Sequence, residues 1–449
     1  MNVQAKVPPR GPSSFGLDGL PKIAYGKGSY LYDVTGKRYL DGSGGPAVYA
    51  IGHANEEVNE AIKAQLDKIA HAYRYLFTSD AADELVDIIH KVSGFKNVVF
   101  VTSGSEAVES CLKIALQYWA CKGQMSKRRF IARDRSWHGN TMGGLSVSGF
   151  LTRRAPFEGA LIDVSRVSAA NAYRPPAGLN SGDLVGYLVA ELEAEILRVG
   201  PEKIAAFIFE PVVGAAGGVV PAPEGYAKAV TELCHRYDIL VIADEVMCGA
   251  GRCGTWRALE HDGVVPDLMT VAKGLGAGYI PLGAALYSDE IHRTIIEAHG
   301  GTQTGHTFTG HTAACASAVA VQKIIMRENL VERVRTRGAT FQEEIRKALA
   351  HIPEVGDVRG RGYFIGVELV KDPETKEPFA PELRVHAEIG NTAFANGLII
   401  YPCAGNVGGT AGDTVIIAPP YNASDAELAE IIEILTKSIE TVIEKARKG

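Results

Sequence analysis

The strongest constraint on this chain is a rhythm. Between about residues 80 and 290, short β-branched or apolar runs alternate with longer helical patterns, which is how a parallel sheet wound with helices reads. The runs at 97–101, 130–132, 205–209, 239–243, 268–271 and 282–286 are each bounded by Gly, Pro, Asp or Ser. Several end on a polar or Gly-rich group: Thr102-Ser103-Gly104-Ser105, Glu210-Pro211, Asp244-Glu245 and Lys273-Gly274. Doubly wound sheets bind ligands at the carboxyl ends of their strands, so these groups are expected to converge on one crevice.

After about residue 312 the pattern changes. Long helices are expected over 313–327 and 331–351, short strands at 363–369 and 414–418, and a last amphipathic helix to about Lys445. Ser424, with Glu427 three positions on, reads as the capping box that opens this helix. The N-terminal runs at 30–34 and 38–41, around Thr35-Gly36-Lys37, read as a hairpin that joins the same smaller α+β lobe. At 449 residues the chain exceeds what one core usually organises. The expected division is an N-terminal segment (1–60) joining the small domain, a large domain (61–325) and a C-terminal small domain (326–449). Residues 175–182, rich in Pro and Gly, read as a surface loop.

Composition narrows the function classes. A net charge of −6 argues against a nucleic-acid partner. No run of about 18 uncharged apolar residues occurs, and residues 1–14 carry no signal-type apolar stretch, so a cytoplasmic, non-membrane protein is expected. The seven cysteines are scattered, with no CxxC pair, and read as reduced thiols; no metal is expected. Cys248 and Cys253 read as small packed residues in a tight Gly-rich turn.

Three motifs carry chemistry. At 100–107 a strand enters a helix through Ser103, Gly104 and Ser105, a junction whose backbone N–H groups and dipole suit a phosphate. Alone it reads first as N-capping, since a serine before Glu106 is an ordinary cap. Asp244 and Glu245 follow an apolar strand, where charge is costly without partners, although a helix-start acid cluster is the plainer reading. Lys273 follows another such strand, and by itself reads as a snorkelling surface lysine.

Taken together, the motifs resemble those of a class III aminotransferase of pyridoxal-phosphate (PLP) fold type I, from about Tyr30 through Pro420. The matching segments, in the family's order, are Ser103-Gly104-Ser105-Glu106-Ala107, Trp137-His138-Gly139-Asn140-Thr141, Glu210-Pro211-Val212 and Asp244-Glu245-Val246 through Gly251-Arg252. They continue with Ala272-Lys273-Gly274, Thr307-Phe308-Thr309-Gly310-His311 and Arg361-Gly362. The resemblance implies a large domain with a mainly parallel sheet and a smaller α+β domain built from both termini. It implies PLP as cofactor, a small-molecule amine and an oxo acid as substrates, and a homodimer with shared active sites, with pairing into a tetramer left open.

It also implies roles. Lys273 forms the aldimine with PLP and then shuttles the proton. Asp244 faces the pyridine nitrogen, Gly104 and Ser105 hold the phosphate, and Thr307 reaches it from the neighbouring subunit. Trp137 stacks on the ring where the family usually has Tyr or Phe, and Val246 packs on the opposite face. His138 is a turn residue beside the cofactor rather than a general base. Glu210 contacts substrate or a partner arginine, or caps its strand end.

Many members hold a substrate carboxylate with an arginine near the end of the small domain, but residues 400–414 contain none. Arg153, Arg154 and Arg74 are outside candidates, the first two reading as surface arginines. Ala47 leaves open a space that relatives handling bulky amines often fill with an aromatic ring. Tyr73, Tyr75 and Phe77 are expected to refill part of it. The activity so implied is an ω-type transamination from a small amine or ω-amino acid to pyruvate or 2-oxoglutarate. A PLP-dependent ammonia- or phospho-lyase or racemase on the same scaffold is the alternative. A nucleotide-binding α/β protein is a third reading, without a GxGxxG or Walker motif to support it.

Overall fold

The computed structural model describes residues 20–448, so residues 1–14, read above for a signal segment, lie outside it. A seven-stranded sheet runs in the order Asn97–Val101, Gly283–Tyr287, Leu268–Val271, Leu240–Asp244, Ile204–Phe209, Arg129–Arg133, Ser165–Val167. Gly283–Tyr287 alone in this sheet runs against its neighbours. Residues 272–282, which lead into it, are too few for a crossover helix, so the chain returns antiparallel. The seventh strand, Ser165–Val167, was not legible: it is a three-residue edge strand with Arg at its centre.

The apolar runs are continuous because helices cover both faces of the sheet. On Asn97–Val101, Val98 and Phe100 enter one core with the helices Asp80–Ser93 and Leu184–Val199. Val99 and Val101 enter the other, with the helix Gly104–Cys121. Phe207 and Phe209 alternate with Ala206 and Ile208 in the same way. Helix starts are set by local side chains: Ser79, Ser103 and Ser288 each accept from an amide three positions on. Ser424 and Glu427 form the expected capping box at the head of Asp425–Ala446.

A second sheet is antiparallel, in the order Val355–Arg361, Phe364–Leu369, Ala411–Ile417, Tyr401–Val407. Two of its strands were not read from the sequence. Val355–Arg361 carries glycines and arginines, and Tyr401–Val407 holds Pro402, which the free edge tolerates. The N-terminal strands Ile23–Lys27, Tyr30–Asp33 and Arg38–Asp41 form a third sheet, whose last strand pairs in parallel with Leu398–Ile399. Leu40 and Ile51 thereby share a core with Leu398, Ile431 and Leu435. Among the described residues, no helix is long and apolar enough to cross a membrane.

Arg252 joins these parts. It is 1% exposed, its guanidinium donates to the carbonyls of Tyr49, Tyr363 and Pro419, and it lies 4.6 Å from the centre of the Tyr421 ring. A Cβ at Gly362 would meet the Arg252 carbonyl at 2.7 Å, which explains a glycine beside Arg361. Arg252→Met leaves these carbonyls without their donor, and is expected to cost about 3 to 5 kcal/mol. Chemical denaturation against the parent protein measures it.

Candidate active site

The carboxyl ends of the parallel strands surround a cavity of about 260 Å³. Its lining includes Gly104, Ser105, Trp137, His138, Glu210, Asp244, Val246 and Lys273. Eight of the nine expected site residues thus meet in one place. The ninth, Thr307, is exposed on the turn at 307–310 and stands outside this lining.

Lys273 opens a tight turn directly after Leu268–Val271, with φ +42. A non-glycine residue there costs of order 1 kcal/mol and needs a clamp. Leu275 N–H donates to the Ala272 carbonyl at 2.9 Å, and Gln322 Nε2 donates to the carbonyls of Gly274 and Leu275 at 3.2 and 3.0 Å. Burial pushes the Lys273 amine down from 10.5 to about 8, although Asp244 and Glu210 pull it upward. Desolvation wins, and a nucleophilic amine becomes accessible near neutral pH.

Asp244 is 3% exposed and held from three directions. Thr270 Oγ1 and the Val246 amide each donate to Oδ1 at 3.0 Å, while His138 Nδ1 lies 2.8 Å from Oδ2. The carboxylate is therefore fixed in rotation. His138, read from sequence as a turn residue, is the group that orients this acid. The His138 amide in turn donates to Ser148 Oγ at 2.8 Å.

Glu210 spends its carboxylate on backbone: Oε1 accepts from Trp137 N–H and Oε2 from Gly214 N–H, both at 2.9 Å. Burial raises its pKa. One of these backbone partners is the loop that carries Trp137, while Glu210 itself lines the cavity.

At the helix start, Ser103 is the N-cap, accepting from Glu106 N–H at 3.2 Å. Ser105 Oγ accepts from Asn140 N–H at 2.9 Å, tying the helix start to the Trp137 loop. A Cβ on Gly104 would meet Val246 Cγ1 at 2.8 Å, so only glycine lets the helix start approach Val246. The first amides of an 18-residue helix have no partner within the helix and border the cavity.

Several expectations need correction. Tyr73, Tyr75 and Phe77 are not part of this cavity's lining within their own chain. Arg74 is tied to Thr309 at 3.2 Å and Tyr75 Oη crowds Gly305, so their segment follows the 301–311 turn instead. Arg74 and Phe77 line a different cavity, of about 250 Å³. Arg154 is no surface arginine: it is 2% exposed and donates to the carbonyls of Leu145, Ser146 and Ser148, left open where the helix Met142–Val147 ends. Pro46, rather than the buried Ala47, faces the cavity. Arg153, Ala215, Met247 and Tyr401 also line it, and no spacing in the sequence marks the last three. Cys248 and Cys253 are buried, and burial pushes the Cys253 thiol up to about 12, as packing residues require.

The family model for aminotransferase class III matches residues 20–439. An uncharacterised aminotransferase of Bacillus subtilis strain 168, YodT, is 41% identical over 433 residues, covering 95% of this chain and 97% of that protein. The solved structure of a thermostable (S)-enantioselective omega-transaminase from Thermomicrobium roseum superposes with a TM-score of 0.90 at 35% identity, over 98% of this chain and 96% of its own. A PMP-bound aminotransferase from Vibrio fluvialis gives 0.89 at 32% identity, over 97% and 96%.

The depressed Lys273 amine has a stability signature in protein freed of any bound aldehyde. Its folded pKa lies below its unfolded value, so the folded state resists the proton, and stability rises as pH climbs from about 8 to 10.5. Lys273→Met is expected to be more stable than the parent below pH 8. The gap should close by about 3 kcal/mol across that window, read by denaturation at each pH.

Proposed function

The chain belongs to the class III aminotransferases, enzymes of PLP fold type I that depend on PLP, and from that premise we propose what this cavity does. It takes the amino group from a small amine or ω-amino acid and delivers it to an oxo acid, pyruvate or 2-oxoglutarate, in two half-reactions. The amine leaves as a carbonyl compound and the oxo acid as an amino acid. The observation that carries this reading is one buried amine. Lys273, pushed down to about 8, shares a cavity with a thrice-held carboxylate and a helix N-terminus.

The residues fit PLP. The amine of Lys273 would anchor it covalently, Asp244 would suit a protonated ring nitrogen, and the amides of Gly104 and Ser105 would suit the phosphate. Trp137 and Val246 supply the cavity's aromatic and aliphatic walls. Bound there, the cofactor acts as an electron sink for the carbon that loses and regains a proton.

The chain's own residues do the rest. Lys273, as a free amine, would carry that proton, and a value near 8 suits it to both accept and release it. Asp244 would favour a positive charge at the ring nitrogen, and His138, as a positioning residue, holds the acid in line. Glu210 fixes the Trp137 backbone. Thr307, exposed on this chain, is free to meet the phosphate of a second copy in a homodimer.

Borohydride reduction of the purified enzyme followed by peptide mapping is expected to leave a pyridoxyl group on Lys273, and none on Lys273→Ala. A primary amine alone should give a single turnover, with repeated turnover only when an oxo acid is added. Sustained turnover without one would instead indicate a lyase or racemase. Asp244→Asn should lower kcat by about 100-fold while cofactor remains bound, measured by turnover beside cofactor absorbance.

A further inference from the structure

The charges around the cavity leave one group unanswered. Asp244 and Glu210 are satisfied by His138, Thr270 and backbone amides. Of the two cations in the lining, Lys273 is taken by the chemistry above, and the other is Arg153. Among the described residues, no carboxylate lies within ion-pair distance of Arg153, whereas its neighbour Arg154 pairs with Glu158.

Arg153 is exposed, as a surface arginine would be, yet it is held at the cavity's rim. Its guanidinium carbon lies 4.4 Å from the ring centre of Trp137 and 4.6 Å from that of Phe150, and Nη2 donates to the Tyr401 hydroxyl at 3.4 Å. Two aromatic faces and one hydroxyl orient a planar fork while leaving most of its five N–H donors unspent. Such a fork matches a carboxylate bidentately. Its charge also reaches Lys273, being among the influences that press that amine down. The arginines that might compete are committed, Arg154 to carbonyls and Arg74 to the other cavity.

We propose that Arg153 holds the carboxylate of the oxo acid acceptor and of the amino acid it becomes, making it a specificity-determining residue for carboxylate-bearing substrates. The proposal rests on the reading of the Lys273 cavity as the transamination site. It answers how a substrate carboxylate is held when residues 400–414 contain no arginine. A carboxylate-free amine makes no use of this contact, so the two kinds of substrate should respond differently to its loss.

Arg153→Met keeps an unbranched stem over Trp137 and Phe150 and removes the fork. In steady-state assays of the holoenzyme, KM for pyruvate is expected to rise about 10- to 100-fold. In single-turnover half-reactions followed by cofactor absorbance, the efficiency with pyruvate should fall at least ten times further than that with a carboxylate-free primary amine. Arg153→Lys, which keeps the charge without the fork, should fall between parent and Met variant. An equal loss with both substrates, or an unchanged KM for pyruvate, overturns the assignment and leaves Arg153 a stacking residue. Failure of the parent enzyme in both half-reactions would overturn the underlying transamination reading instead.

Discussion

A carboxylate at the end of a fully buried strand organises this molecule. Leu240–Asp244 is buried at every position, and an acid there is tolerated only if donors replace the water it has lost. Asp244 draws them from the next strand through Thr270, from its own loop through Val246, and from a distant loop through His138. Its neighbour Glu245, wholly buried, accepts from the amides of Ala258 and Leu259, and burial still pushes it up to about 7. The two adjacent acids thus serve opposite ends: one faces the cavity, and the other closes the loop that contains Arg252.

The cavity walls inherit their order from that acid. His138 holds Asp244, Glu210 holds the Trp137 backbone, and Ser105 holds Asn140, so one loop is pinned from three sides. Trp137 in turn gives Arg153 a face to rest on. Few of these contacts are individually large, since a typical intramolecular hydrogen bond contributes about 1 kcal/mol. Their value lies in fixing angles. A lysine, an acid and a guanidinium that converge on a cavity of about 260 Å³ leave little freedom for a misplaced substrate.

Much of the fold was legible because its central strands are buried on both sides and read as unbroken apolar runs. Leu268–Val271 and Asn97–Val101, an edge strand that is nonetheless buried throughout, match the sequence reading to the residue, and the other apolar strands match to within one. The edge strands Ser165–Val167 and Tyr401–Val407 escaped, since they bury less and tolerate Arg, Gly and Pro. Most candidate site residues were legible only as a set. Ser103 alone is an N-cap, and the structure gives it that role, while the cavity belongs to Gly104 and Ser105 beside it.

What the sequence determined by itself was the alternation of elements, the polar groups at the strand ends and, through ordered motifs, the family. Those features are local in the chain or shared in its order, and need no knowledge of distance. The tertiary structure decided which of three arginines faces the cavity, which backbone amides hold Glu210, and that an aromatic run at 73–77 lies outside the cavity lining of its own chain. Each depends on contacts between residues far apart in sequence, such as Arg153 with Tyr401 and Arg74 with Thr309. A side chain's identity does not reveal whether its partners lie across a cavity or along a surface; packing alone sets that.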